Sequence, residues 1–247
     1  MAMLDVVSPY DLSVIKTVPL ATQAQADGML ERAVAAFKDQ AGWLAPHERI
    51  AILDRLAALV EAEADDFAML IAREGGKPLA DARVEVARAI DGIKLATKEL
   101  SHVMRGEEIP MGHTAASVGR RAFTQMEPIG VVIAVSAFNH PLNLIVHQVV
   151  PAIAVGCPVI VKPAGTTPLN CLRFVELVHQ AGLPEAWCQA CVCDNAVAES
   201  LVTSDRIGFF TFIGSARVGW SLKSKLAPGV RCALEHGGAA PVLVAED

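Results

Sequence analysis

The sequence lacks the features that would place it in several broad classes of protein. No apolar run reaches the ~18–20 uninterrupted residues of a membrane-spanning helix, although the mean hydropathy is positive at +0.40. The run 130–139 meets Asn139-His140-Pro141, and 142–156 is broken by Asn143, His147, Gln148 and Pro151. No basic stretch precedes an apolar one at Met1-Ala2-Met3-Leu4-Asp5, so no secretory leader is expected. Basic residues do not outnumber acidic ones: 21 Lys and Arg against 27 Asp and Glu give a net charge of −6. Without a positive field to hold polyphosphate, a nucleic-acid backbone is not an expected partner. Internal repeats, low-complexity tracts and a GxGxxG phosphate fingerprint are all missing.

A disulfide framework is not expected either. The six cysteines stand at 157, 171, 188, 191, 193 and 232. Without a leader they are expected as free thiols in a reducing compartment, the cytoplasm. Cys188-x-x-Cys191-x-Cys193 invites a metal reading, but a structural zinc site normally takes four N or S ligands. No second CxxC or close His pair follows. Cys191 and Cys193 are instead expected as apolar fillers on one face of a short strand, 189–193.

What is present suits one large domain, or one domain with an appendage. The chain has 247 residues, 53% of them hydrophobic, too apolar for a disordered chain. From 23 to about 105 the pattern is helical. A first helix covers 27–39. Pro46 opens a second, whose stripe Ile50, Leu53, Leu56, Val60, Phe67, Leu70 and Ile71 runs until Glu74-Gly75-Gly76-Lys77-Pro78 stops it. A third spans 79–101, with acidic residues early and Lys94 and Lys98 late, as the helix dipole favours.

The segment 113–128 reads as a hairpin or extended excursion, with Arg120 and Arg121 between Val118 and Phe123. Projecting strands of this kind often find a partner sheet in another subunit. From Gly130 strands and helices alternate. Strands are expected at 131–135, 158–161, 189–193, 207–212 and 230–234, and helices at 141–155, 167–181, 196–202 and 215–226. Strands apolar on both faces, alternating with helices, predict an α/β fold: a Rossmann-like parallel sheet with flanking helices, preceded by an N-terminal helical segment and a projecting hairpin. The expected organisation is 1–112 helical, 113–129 hairpin and 130–247 nucleotide-binding sheet.

Ligands of such sheets bind beyond the carboxyl ends of the strands. Four turns there carry polar groups. Ser136-Ala137-Phe138-Asn139-His140-Pro141 offers an amide, and Lys162-Pro163-Ala164-Gly165-Thr166-Thr167-Pro168 an ammonium. Ile213-Gly214-Ser215 opens a helix whose N–H groups and Ser hydroxyl suit a phosphate, and Leu234-Glu235-His236-Gly237-Gly238 offers a carboxylate before two glycines. Each has a plainer reading: Asn139 as a turn residue, Lys162 as a solvated strand-end charge, Ser215 as a helix cap. Their common position on one sheet edge points to a single catalytic cofactor site.

The order Phe138-Asn139, Lys162-Pro163, Phe212-x-Gly214-Ser215-x-x-Val218-Gly219 and Leu234-Glu235-x-Gly237-Gly238-x-x-Pro241 resembles the aldehyde dehydrogenase superfamily over essentially the whole chain. The resemblance implies NAD or NADP as cofactor, a small aldehyde as substrate and a homo-oligomer, dimer or tetramer. It implies that Asn139 donates to the oxyanion of the covalent intermediates and that Glu235 is the general base that activates water, raised in pKa by burial beside an apolar strand end. It places the ribose hydroxyls at Lys162 and the pyrophosphate at Gly214 and Ser215, with Val218 on the adenine side and Phe212 on the nicotinamide side. Ala137, Phe138, Ala164, Gly165, His236 and Gly237 complete the implied cofactor-binding positions.

Departures also carry meaning. The family's nucleophilic cysteine lies downstream of the Glu-x-Gly-Gly motif, and none of the six cysteines here stands in that context. The chain is therefore expected to be the N-terminal, cofactor-binding half, inactive by itself. Many members carry Glu where Gly165 stands, which leaves NADP open. His236 stands where Leu is usual and Ala239 where Lys is common. The pattern is similar to the branch acting on short hydroxy- or phospho-substituted aldehydes. A module that binds nucleotide or pairs subunits without oxidation, and a thiol–metal protein built on Cys188, Cys191 and Cys193, remain the alternatives.

Overall fold

A computed structural model describes residues 2–246. The chain opens with a hairpin that the sequence pattern leaves unassigned: β1 (Met3–Val7) pairs antiparallel with β2 (Val14–Pro19), with a bulge between Val6 and Val7. Four helices follow: α1 (Gln23–Lys38), α2 (Pro46–Ala62), α3 (Ala64–Gly75) and α4 (Leu79–Val103). Thr22 starts α1 with a capping box, its hydroxyl accepting from the Gln25 N–H while the Gln25 side chain accepts from the Thr22 N–H. Pro46 occupies the first turn of α2, where its missing N–H costs nothing.

The single helix expected from Pro46 to Glu74 is in fact two. Glu63 leaves the helical region at φ −105°, ψ 19°, and its carboxylate pairs with Arg173. The apolar stripe continues through the break, so periodicity alone does not reveal it. Gly76 then caps α3 at φ 65°, where a Cβ would lie 2.8 Å from the Pro9 ring. Only glycine meets both demands.

The projecting hairpin is wider than expected. β3 (Glu108–Ile109) pairs antiparallel with β4 (Ala122–Phe123), so the excursion begins before His113. Thr124 seals its base, donating from its N–H to the Glu107 carbonyl and accepting from the Glu107 N–H through its hydroxyl. Phe123 is 76% exposed at its surface.

The main sheet has β5 (Val132–Val135), β6 (Val159–Lys162), β7 (Cys188–Ala190), β8 (Phe209–Gly214) and β9 (Arg231–His236), all parallel, in the order β7-β6-β5-β8-β9. Its helices are α5 (Asn143–Val155), α6 (Leu169–Gln180), α7 (Asn195–Val202) and α8 (Ala216–Lys223). Alternate residues at β5 serve opposite faces. Val132 and Ala134 join the core made with α2 to α6, while Ile133, with Val131 just ahead of the strand, joins the core made with α1 and α7. The N-terminal helices thus share their cores with the sheet.

β5 and β6 fall within one residue of expectation, and three strands differ from it by two residues or more. β7 is Cys188–Ala190, not 189–193, so Cys191 and Cys193 lie beyond its end, buried all the same. β8 and β9 run two residues further than expected, because their ladder extends to the pairs Ile213–Glu235 and Gly214–His236. Gly214, Glu235 and His236 are therefore the last ladder residues and not members of the following turns. Among the described residues no helix is long and apolar enough to cross a membrane.

Candidate functional site

Chain order moves outward from β5 to β6 and β7 on one side, then returns to β8 and β9 on the other. The two halves diverge between β5 and β8, and a crevice opens there beyond the carboxyl ends. A cleft of about 450 Å³ occupies it, walled by Ala137, Phe138, Asn139 and Leu144 on one side and by Ile213, Gly214, Ser215, Glu235, His236, Gly237 and Gly238 on the other. The amide, the helix-opening Gly-Ser and the carboxylate singled out in the sequence thus face one space. Ile213 and Gly238, from the same turns, line it too, and Leu144 joins them as a wall that no sequence pattern marked.

Lys162 is not in that wall. It stands on the same sheet edge one strand away, in register with Val135, and its ammonium donates to the Pro163 carbonyl at 3.2 Å. Ala164 and Gly165 follow it, and a Cβ at Gly165 would meet nothing within 4 Å. Phe212 is buried, not exposed to the cleft, and fills the space beneath two glycines. A Cβ on Gly214 would lie 2.7 Å from its ring and one on Gly219 at 3.0 Å. These glycines let the start of α8 settle on the aromatic ring. Val218 projects from α8, 41% exposed.

Ser215 takes the cap position of α8, but its side chain makes no capping bond. The first N–H groups of α8 are therefore free for an outside acceptor, the property expected of an anion site. His236 turns its ring toward α8, 5.5 Å from the Trp220 ring centroid. Its Nε2 is buried without a hydrogen-bond partner among the described residues.

Glu235 departs from expectation: its side chain is exposed, not buried. β9 is the edge strand of the sheet, so nothing in the described residues covers it from outside. The carboxylate also closes one end of a second, mainly apolar groove of about 460 Å³ between α4 and α5, lined by Leu95, Leu100, Val103, Val146 and His147. Two spaces thus meet at one carboxylate.

None of the six cysteines lines either space. Five are buried and Cys232 is half-buried. Burial raises the pKa of the Cys157 and Cys171 thiols and pushes Cys188 up to about 12. The Cys191 thiol is raised by hydrogen bonding to Cys193, which in turn is lowered by that bond and by nearby Lys162. Among the described residues no group of three or more His, Cys, Asp or Glu could hold a metal ion.

The turns themselves are held from below by carboxylates that the sequence pattern did not single out. Glu85 of α4 accepts from the N–H groups of Leu142 and Asn143, at 2.9 and 3.1 Å. Glu74 at the end of α3 accepts from those of Leu169 and Asn170, again at 2.9 and 3.1 Å. A signal for both existed: each falls on the apolar stripe of its helix, three residues after Ala82 and Ile71 respectively.

The model of the aldehyde dehydrogenase family matches residues 2–247. A 3-sulfolactaldehyde dehydrogenase of Priestia aryabhattai is 37% identical over 88% of the chain and 46% of that relative. A lactaldehyde dehydrogenase of Methanocaldococcus jannaschii is 32% identical over 99% of the chain and 52% of that relative. Among solved structures, aldehyde dehydrogenase 21 of Physcomitrella patens, in complex with the reaction product succinate, superposes with a TM-score of 0.92 at 36% identity, covering 97% of this chain and 50% of that one. A glyceraldehyde-3-phosphate dehydrogenase of Methanocaldococcus jannaschii complexed with NADP gives 0.87 at 31% identity, covering 95% and 51%. The chain spans about half the length of the relatives it matches.

Proposed function

This chain belongs to the aldehyde dehydrogenase family, and on that premise we propose that it is the cofactor-binding part of an enzyme that oxidises a small aldehyde to a carboxylic acid with NAD or NADP. The observation that carries the reading is the cleft at the β5–β8 divergence, where Asn139, the uncapped start of α8 and Glu235 face one another. The residues fit a dinucleotide: free N–H groups at Ser215 suit its phosphates, and Gly214 and Gly219 leave the backbone bare where a side chain would strike Phe212. Lys162, Ala164 and Gly165 would receive the ribose, and Ala137, Phe138, Val218, His236 and Gly237 would complete the walls.

When bound, the nicotinamide supplies the hydride acceptor. In this chain's part of the work, the Asn139 amide donates to the oxygen on which negative charge develops, which is worth most where the donor is already in place. Glu235 takes a proton from the water that releases the acid. The nucleophilic thiolate is not one of the six cysteines described above, so the 247 residues alone are inactive in this reading. Short hydroxy-, phospho- or similarly substituted aldehydes are the substrates we assign. The projecting hairpin, with Phe123 exposed, serves a homo-oligomer, and the free cysteines suit the cytoplasm. The absence of a thiol in the cleft also favours a second reading, a nucleotide-binding or subunit-pairing module without oxidation.

Calorimetry with NAD and NADP on the folded chain tests the site. Saturable binding to either is expected. Lys162→Ala should weaken it by about 1.5–3 kcal/mol, the worth of a hydrogen bond to a charged group. Folded protein that takes up neither nucleotide overturns the reading. Aldehyde oxidation by these 247 residues alone would make one of their own cysteines the nucleophile and overturn the assignment of the thiol.

A further inference from the structure

The side chain of Asn139 is exposed, and among the described residues no hydrogen bond holds it. Its orientation therefore depends on the backbone of the turn between β5 and α5. That turn has no cap of its own: Leu142 stands at the cap position of α5 and offers no side-chain acceptor. The first N–H groups of a helix need partners, and here they come from another element. The Glu85 side chain, completely buried on α4, puts Oε1 against the N–H groups of Leu142 and Asn143.

A buried carboxylate without a counter-charge is costly. Lys77 supplies one, its ammonium donating to Glu85 Oε2 at 2.5 Å. The same ammonium lies 3.0 Å from His140 Nδ1. His140 Nδ1 also lies 3.3 Å from Glu85 Oε2, so the ring, the ammonium and the carboxylate meet at one point. His140 directly follows Asn139, so both ends of this short turn are tied to one buried ion pair.

We propose that Glu85, clamped by Lys77, is the positioning residue for Asn139: it caps α5 from a neighbouring helix and fixes the turn on which the amide stands. The consequence for catalysis rests on the reading of Asn139 as the oxyanion donor; the positioning itself does not. Glu74 caps α6 in the same manner, on the turn that follows Lys162, and serves as an internal control.

The test is residue-resolved amide exchange and NMR on the chain. In the unmodified protein, the amides of Leu142 and Asn143 should exchange far more slowly than free first-turn amides; rapid exchange there overturns the proposal without any variant. In Glu85→Gln, which leaves a single acceptor oxygen and no charge, exchange at Asn139, His140, Leu142 and Asn143 should rise about tenfold or more, the effect of losing one charge-assisted hydrogen bond. The Asn139 side-chain NH₂ resonances should move, while exchange at the amides of Leu169 and Asn170 should not rise. Lys77→Met, which leaves the carboxylate in place, should loosen the same turn. A merely structural role would raise exchange along α4, α5 and α6 together and leave the Asn139 resonances unmoved in folded protein; either result overturns the proposal. Asn139→Ala tests the catalytic reading separately, in the dehydrogenase that contains the thiol. If turnover survives that change, the oxyanion assignment fails while the positioning result stands.

Discussion

Glu74→Ala deletes a carboxylate that is 2% exposed and accepts from the N–H groups of Leu169 and Asn170 and from the Asn170 side chain. Three donors lose their acceptor, at about 1–3 kcal/mol for each one left buried. Opposing this, the native protein no longer holds a charge out of water. Burial pushes the Glu74 carboxyl above its usual range, with the Glu85 charge adding to the effect, even though all three donors pull it down. The expected net loss is about 3 kcal/mol, the low end for three donors left unpaired, because the buried charge leaves with the carboxylate. Glu74→Gln keeps one acceptor oxygen and drops the charge, so its cost should be nearer 1–2 kcal/mol, about one hydrogen bond.

Urea unfolding of the three proteins at a series of pH values reads both numbers, provided the slope m is unchanged. The pH dependence is the sharper part. A carboxyl whose folded pKa is raised contributes stability that is fully present below its unfolded pKa and lost as pH rises through the folded one. The wild-type advantage over Glu74→Gln should therefore grow as pH falls from neutral toward the ordinary glutamate range. Groups remote from Glu74 cancel in the difference. If the advantage instead shrinks on acidification, the three N–H donors outweigh burial, and the account of this site as a charge held at a cost is wrong.

Two glycine substitutions should separate open space from close approach. Gly208→Ala would put a Cβ 2.3 Å from the Ile129 carbonyl oxygen and 3.0 Å from Gly130 Cα. Backbone cannot yield as a side chain can, so a loss of about 2–3 kcal/mol in thermal or urea unfolding is expected; an unchanged midpoint would show that the two segments are not in contact. At Gly165 an added Cβ would find open space, with nothing within 4 Å. Gly165→Glu should therefore leave stability within about 0.5 kcal/mol while shifting nucleotide preference toward NAD by repelling a 2′-phosphate. Wild-type protein that already excludes NADP as strongly as this variant in calorimetry refutes that expectation.

The parallel sheet was legible because β5 and β6 are buried on both faces. Their runs are apolar without alternation, a pattern that helices on both sides require, whereas β8 alternates buried and half-buried residues around Thr211. Elements whose identity rests on a partner were harder. β1 and β2 are short and largely exposed, and only their mutual pairing makes them strands. β8 and β9 extend to Gly214 and His236 because each supplies the other's ladder, which no local preference encodes. The break at Glu63 is equally silent in the stripe, since the pairing that accompanies it, to Arg173, is 110 residues away.

The same division runs through the candidate site. Residue types and order along the chain, Asn139, Lys162, Gly214-Ser215 and Glu235, determined which chemistry was possible and which edge of the sheet would carry it, because parallel β–α units deliver their turns to one side. Only the tertiary structure decided which of them share a cleft. Strand order puts β8 next to β5 and β9 next to β8, so the amide, the open helix start and the carboxylate line one cleft, while β6 carries Lys162 on the other side of β5. It also decided that Glu235, on an edge strand, is exposed, and that Glu74 and Glu85, two charges on apolar stripes, are the caps of α6 and α5. A cap borrowed from another helix depends on long-range packing, and its physical basis is unmet N–H groups that only the folded arrangement brings within reach.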